Sequence, residues 1–96
     1  MSVSDNSHPV ACYSVLTAAD PSAMPRVLEI FALRSVVPAR WHGARIDGGT
    51  GDPADDRLAI DLQVPGLAPE TAAMIGRKLD AMACVTSVLL TEKRAA

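Results

Sequence analysis

From Val10 to Thr17 the chain alternates, with Tyr13, Val15 and Thr17 on one face and Cys12, Ser14 and Leu16 on the other. A period of two in a run rich in β-forming residues predicts a first strand. The cluster Ala18-Ala19-Asp20-Pro21-Ser22 ends it, and Ser22 is placed to cap a helix over about Ala23 to Arg34. Asp20 offers itself as a second capping group. Pro25 then falls at the third helical position, where a missing N–H costs no intrahelical bond. Met24, Val27, Leu28 and Phe31 recur at helical spacing and predict the core face, while Arg26 and Glu29 mark the wet side. Ile30 and Leu33 widen the apolar stripe beyond what one sheet contact requires.

After Pro38 the pattern weakens. Ala39 to Ile46 predicts a second strand, but Arg40, Trp41, His42, Gly43 and Arg45 interrupt one another, which suits a sheet edge. Asp47 to Asp56 reads as a solvated hairpin loop. Arg57 to Val64 has the clearest alternation in the chain, with Leu58, Ile60, Leu62 and Val64 facing one way and Arg57, Ala59, Asp61 and Gln63 the other. Pro65-Gly66 predicts a turn, and Pro69 suits the first position of a second helix running to about Ala81. Ala72, Ile75, Gly76 and Leu79 form its packing face. Gly76 costs that helix about 1 kcal/mol relative to alanine, for which close contact with the sheet is the simplest reason. Cys84 to Thr91, apolar on both faces, predicts the last strand.

The order β-α-β-β-α-β with right-handed crossovers specifies an α+β, ferredoxin-like sandwich. Its antiparallel sheet runs 4-1-3-2, with both helices on one face. Residues 1–9 read as a disordered lead, 10–91 as the domain and 92–96 as a polar tail. The uncovered face of strands one and four is apolar enough that a homodimer is the expectation.

Composition narrows the function. Of 96 residues 49% are hydrophobic, yet only Tyr13, Phe31 and Trp41 are aromatic, so the core is built from aliphatic side chains. The net charge of −2, with basic residues scattered among acids, gives no footprint for nucleic acid. No run approaches the roughly 18 apolar residues of a membrane span, and Met1 to Pro9 lacks the pattern of a signal peptide. Cys12 and Cys84 fall at opposite ends of an antiparallel sheet, too far apart for a disulfide, and two free thiols suit the cytoplasm.

Chemistry is sparse. His8 and His42 belong to no ligand pair, no Cys-x-x-Cys exists, and the acids of the 47–56 loop lack calcium-loop spacing. Gly48-Gly49-Thr50-Gly51 is followed by neither Lys-Ser nor Lys-Thr and opens no helix, so it is not a phosphate loop. Ser14, Ser22 and Ser87 show no His–Asp partners. The expectation is no catalytic residue, no metal and no cofactor.

Ser14-Val15-Leu16, then Pro21-Ser22-Ala23-Met24-Pro25-Arg26-Val27, Phe31 and Arg34, and later Lys78-Leu79-Asp80 with Met82 and Val85, form a collinear series over residues 11–91. This series resembles the ACT domain, and within it the small regulatory subunit of acetolactate synthase. The resemblance implies a non-catalytic sensor, paired as a dimer. Such a sensor binds an amino acid at the subunit interface, against the turn after strand one and the start of helix one. By position that turn is Asp20, Pro21, Ser22, Ala23 and Met24, with Val37 and Pro38 contributed by the partner subunit. A helix N-terminus attracts a carboxylate. The implied partners are a second copy, a biosynthetic catalytic subunit and an amino-acid effector.

Three positions depart from the family pattern: Ser22 stands where glycine is usual, and Val37 and Ala19 stand where amides are common. Each lost hydrogen bond to a ligand removes about 0.5–1.5 kcal/mol. Two expectations follow: a regulatory subunit of a branched-chain amino-acid biosynthetic enzyme, or an ACT-like interaction module that has lost its ligand. A third, acylphosphatase-like catalysis on the same topology, lacks the arginine- and asparagine-bearing loop it needs. Trp41 is read equally as an interface anchor or as a half-buried edge residue.

Overall fold

The computed structural model describes residues 9–94. The expected disordered lead falls, but for Pro9, outside the described residues, as do His8 and the last two residues of the expected tail. The elements follow the predicted order: β1 Val10–Ala18, α1 Ala23–Ala32, β2 Arg40–Ile46, β3 Arg57–Val64, α2 Pro69–Asp80 and β4 Val85–Lys93. The four strands form one antiparallel sheet in the order β2-β3-β1-β4, which is the expected ferredoxin-like arrangement. Among the described residues no helix is long and apolar enough to cross a membrane.

Alternation becomes burial along β1 and β3. Tyr13, Val15 and Thr17 are buried and stand across from Leu62, Ile60 and Leu58. Val27 and Phe31 from α1, and Ala72, Ile75 and Leu79 from α2, close over that face. The Tyr13 and Phe31 rings meet edge to face with centroids 5.4 Å apart, a geometry that adds to the area they bury. The Tyr13 hydroxyl donates to the Ala72 carbonyl at 2.7 Å, so the one polar atom of the ring is satisfied inside the core. Burial pushes the Tyr13 phenol up to about 12.

The helices divide the sheet between them. The α2 helix lies over β1 and β4: a Cβ added at Gly76 would stand 3.7 Å from Leu90 and 3.8 Å from Tyr13. Those are ordinary contact distances, so the helix–sheet spacing there leaves room for alanine. The α1 helix lies over β2, where Met24 occupies the space above Gly43.

Several boundaries differ from the sequence expectation. Helix α1 stops at Ala32, two residues early, because Ser35 takes a left-handed backbone with φ 56° and the Val36 N–H returns to the Phe31 carbonyl. Strand β4 begins at Val85 and runs to Lys93, taking in Glu92 and Lys93 from the expected tail. Those two residues pair with Ala11 and Val10 of β1. The 47–56 loop contains a short 3-10 turn, Pro53–Asp55. Its acids each hold part of it: Asp47 accepts from Gly49 N–H, Asp52 from Ala54 N–H, Asp55 from the Thr50 hydroxyl and Asp56 from Gly48 N–H. Arg45 bridges to Asp56 at 2.8 Å. Cys12 and Cys84 are both free. Cys84 precedes β4, where its carbonyl accepts from Ala18 at the far end of β1 from Cys12.

Candidate functional site

The first candidate lies at the turn from β1 into α1. Ser22 is the residue before the helix, but its side chain makes no capping bond. Asp20 holds the turn instead, its Oδ1 accepting from both the Ser22 N–H and the Ser22 hydroxyl at 2.8 Å. The Ala23 N–H donates to the Asp20 carbonyl at 3.0 Å. Pro25 has no N–H, so at most the Met24 N–H of this first turn is left for an incoming anion. A carboxylate does sit at the start of α1, and it belongs to the chain itself. The Ser22 N–H, the Ser22 hydroxyl and the nearby Arg26 hold the Asp20 carboxyl below its usual range, as expected for an anion receiving hydrogen bonds at a helix start.

The other two expected site residues lie elsewhere. Val37 and Pro38 line an open apolar groove of about 530 Å³, together with Leu28, Ala32, Ser35, Val36 and Trp41. Helix α1 supplies Leu28 and Ala32, and the α1–β2 connection supplies residues 35–38. Trp41 projects from β2 on the helix side, opposite Leu62 of β3. Asp20, Ser22, Ala23 and Met24 do not line this groove, so one chain alone does not unite the six residues in a single pocket. Met24 instead packs across β2, and Ala23 is fully buried.

Sequence reasoning missed Leu28, Ala32, Ser35 and Val36 as groove residues. A signal was present in the apolar Val36-Val37-Pro38 run just before a weak strand. Joining it to Trp41 required knowing that the chain folds back beside α1. The groove belongs to a wider apolar margin. All seven residues of β2 are exposed, and among the described residues Leu33, Val37, Trp41 and Ile46 are four of the five exposed large hydrophobics, Leu89 being the fifth. The uncovered sheet face is more polar than expected, with the Ser14 hydroxyl donating to Asp61 at 3.0 Å. His42 lies across from Asp61 on β3, and among the described residues no three His, Cys, Asp or Glu side chains gather as a metal site requires.

Among solved structures, the chain is similar to the C-terminal domain of the MgtC protein from Mycobacterium tuberculosis, determined in solution. The two align with a TM-score of 0.59 at 18% identity, over 98% of this chain and 97% of the other, a likeness of fold. No curated protein matches in sequence. The family model for the ACT-like domain matches residues 4–96. With nearly every residue covered and the βαββαβ topology in place, the chain belongs to the ACT-like domain family.

Proposed function

We propose that this chain is a non-catalytic ACT-like module that works by association with protein and no longer senses a free amino acid at its first turn. The observation that carries this reading is the Asp20 carboxylate at the start of α1, bound by the Ser22 N–H and hydroxyl. An amino-acid carboxylate would have to displace a tethered one, which is already at the site without loss of translational freedom. The absence of an amide at Val37 supports the same reading, since that side chain is apolar and 81% exposed. The groove and the β2 margin then supply the surface through which the module acts. The solved relative is itself a domain of a larger protein, which is consistent with a module that serves other parts.

A thermal-shift screen of the purified chain against the common amino acids tests this. A ligand at about 100 times its dissociation constant adds roughly 2.7 kcal/mol, several degrees for a domain of this size. The expected result is a flat panel, and a saturable shift with one amino acid overturns the reading. A narrower form, regulation of a branched-chain biosynthetic enzyme by docking on an acetolactate synthase-type catalytic subunit, draws on the sequence resemblance and on no feature of this site. Co-purification with such a subunit is its test.

A further inference from the structure

We propose that Asp47 is a site of spontaneous covalent modification, its peptide link to Gly48 rearranging to the isoaspartyl form at a rate set by the hydrogen bond from Gly48 to Asp56. The proposal goes beyond the association reading and does not depend on it.

The chemistry belongs to one peptide bond. An aspartyl side chain is open to attack by the backbone nitrogen of the next residue, and a side chain on that residue hinders the attack. Asp47 is the one aspartate in the sequence followed by glycine. Asp20 and Asp52 precede proline, whose nitrogen carries no hydrogen to lose. The remaining aspartates precede residues that carry side chains. The fold also fixes the glycine. The loop closes with Gly48 against the Asp55 carbonyl, which a Cβ at residue 48 would overlap. The reactive pair is therefore a consequence of how β2 turns back toward β3. Asp47 and Gly48 are both exposed, so water reaches the bond.

In the reaction the Gly48 nitrogen attacks Cγ of the protonated Asp47 carboxyl. A C–N bond forms, a C–O bond breaks, and the N–H proton leaves with the hydroxyl as water. The product is a cyclic imide, which one water molecule reopens. Opening at Cγ restores aspartate. Opening at the main-chain carbonyl leaves the chain running through Cγ, with the former backbone carbonyl now a free carboxylate. No atom is gained or lost overall, and no oxidant or reductant takes part. One carbon enters the main chain directly after Ile46, the last residue of β2.

Both reacting groups are tethered in the folded chain. The Asp47 carboxylate accepts from the Gly49 N–H at 2.7 Å, and the Gly48 N–H donates to Asp56 Oδ1 at 3.0 Å. Asp56 is itself held by Arg45 at 2.8 Å. The nitrogen must leave Asp56 and give up its proton before it attacks. Rearrangement thus requires a local opening of the loop and runs more slowly than in an unfolded chain.

Incubation of the full chain at neutral pH and body temperature, followed by trypsin, tests the proposal. Arg45 and Arg57 bound the segment, so residues 46–57 are released as one peptide. Isoaspartate appears as a second peak of the same mass, and it accepts a methyl group from S-adenosylmethionine in the presence of an isoaspartyl carboxyl methyltransferase. The natural chain is expected to form it, more slowly than a synthetic peptide of residues 46–57. Asp47→Ser abolishes it. Asp56→Ala takes the acceptor from Gly48 and speeds it about fivefold, the factor that one hydrogen bond represents. Asp56→Asn keeps an acceptor oxygen and loses the ion pair to Arg45, as Asp56→Ala does, yet its rate stays near that of the natural chain. Circular dichroism checks that each variant is folded. A natural chain with no second peak once the free peptide has formed one overturns the proposal, as does a natural chain that rearranges as fast as the peptide. Asp56→Ala at the natural rate, or Asp56→Asn as fast as Asp56→Ala, overturns it too. The natural chain against the free peptide decides the matter even if Asp56→Ala does not fold.

Discussion

The half of the sandwich under α2 and the half under α1 are finished to different degrees. Helix α2 opens on Pro69, carries Glu70 in its first turn and Arg77 and Lys78 in its last, each charge set against the matching end of the helix dipole. The apolar residues of its packing face, Ala72, Ile75 and Leu79, are buried, and Met74 is partly buried against them. Helix α1 has no acid in its first turn and no base in its last. Its C-terminal end leaves Leu33 exposed, and its connection to β2 forms one wall of an apolar groove. The difference teaches that apolar residues in this chain serve two purposes. Those near α2 stabilise the monomer, while many of those near β2 contribute little to it and shape a surface.

The largest expected effect separates the two purposes within the α1 half itself. Phe31→Ala removes a fully buried ring packed on Tyr13 and costs about 3–5 kcal/mol. Trp41→Ala, at a residue 56% exposed, costs about 1 kcal/mol or less. Urea denaturation measures both, and equal costs would erase the distinction between core and surface. Tyr13→Phe is next. It removes the hydrogen bond to Ala72 and costs about 1 kcal/mol at neutral pH. Because folding raises the phenol from 10.0 to about 12, the stabilisation of the neutral form is complete below pH 10 and is lost as pH rises toward 12. Stability of the natural chain therefore falls over that alkaline window, and the Tyr13→Phe variant escapes this part of the fall.

Two smaller substitutions compare the helices directly. Ser35→Gly relieves a left-handed residue after α1, and Gly76→Ala fills ordinary contact space inside α2. Each is expected to stabilise by about 1 kcal/mol or less, read as an upward shift in melting temperature. Destabilisation by Gly76→Ala would mean that the α2 half is packed more tightly than its geometry indicates. The smallest effect belongs to Asp20. Folding lowers its carboxyl pKa, so its contribution is present above the ordinary value near 3.8 and is lost as pH falls through the folded value. Asp20→Asn flattens the acid limb of the melting profile by a small amount.

Much of the architecture was legible in the sequence. Strand β3 matches its expected limits residue for residue, because one strict alternation leaves a single face to bury. The sheet order followed from handedness and element order alone. Ends defined by backbone pairing were harder. Glu92 and Lys93 look like a tail, yet their backbone groups pair with Ala11 and Val10, and a ladder is indifferent to polar side chains at an edge. The turn before α1 was legible as a capping site, but whether Ser22 or Asp20 would supply the acceptor depends on torsions that sequence does not specify. The groove was illegible because Leu28 and Trp41 lie on different elements and meet only through the fold.

The pairing of Val10 with Lys93 has a consequence for how this module can be carried. The first residue of the sheet and its last are neighbours across one strand spacing, about 4.8 Å. A host protein could therefore receive the domain within a single surface loop, since the opening required is scarcely wider than that loop's own ends. By the same geometry a short linker can close residue 93 onto residue 10, turning the sandwich into a continuous ring that can be reopened in the 47–56 hairpin.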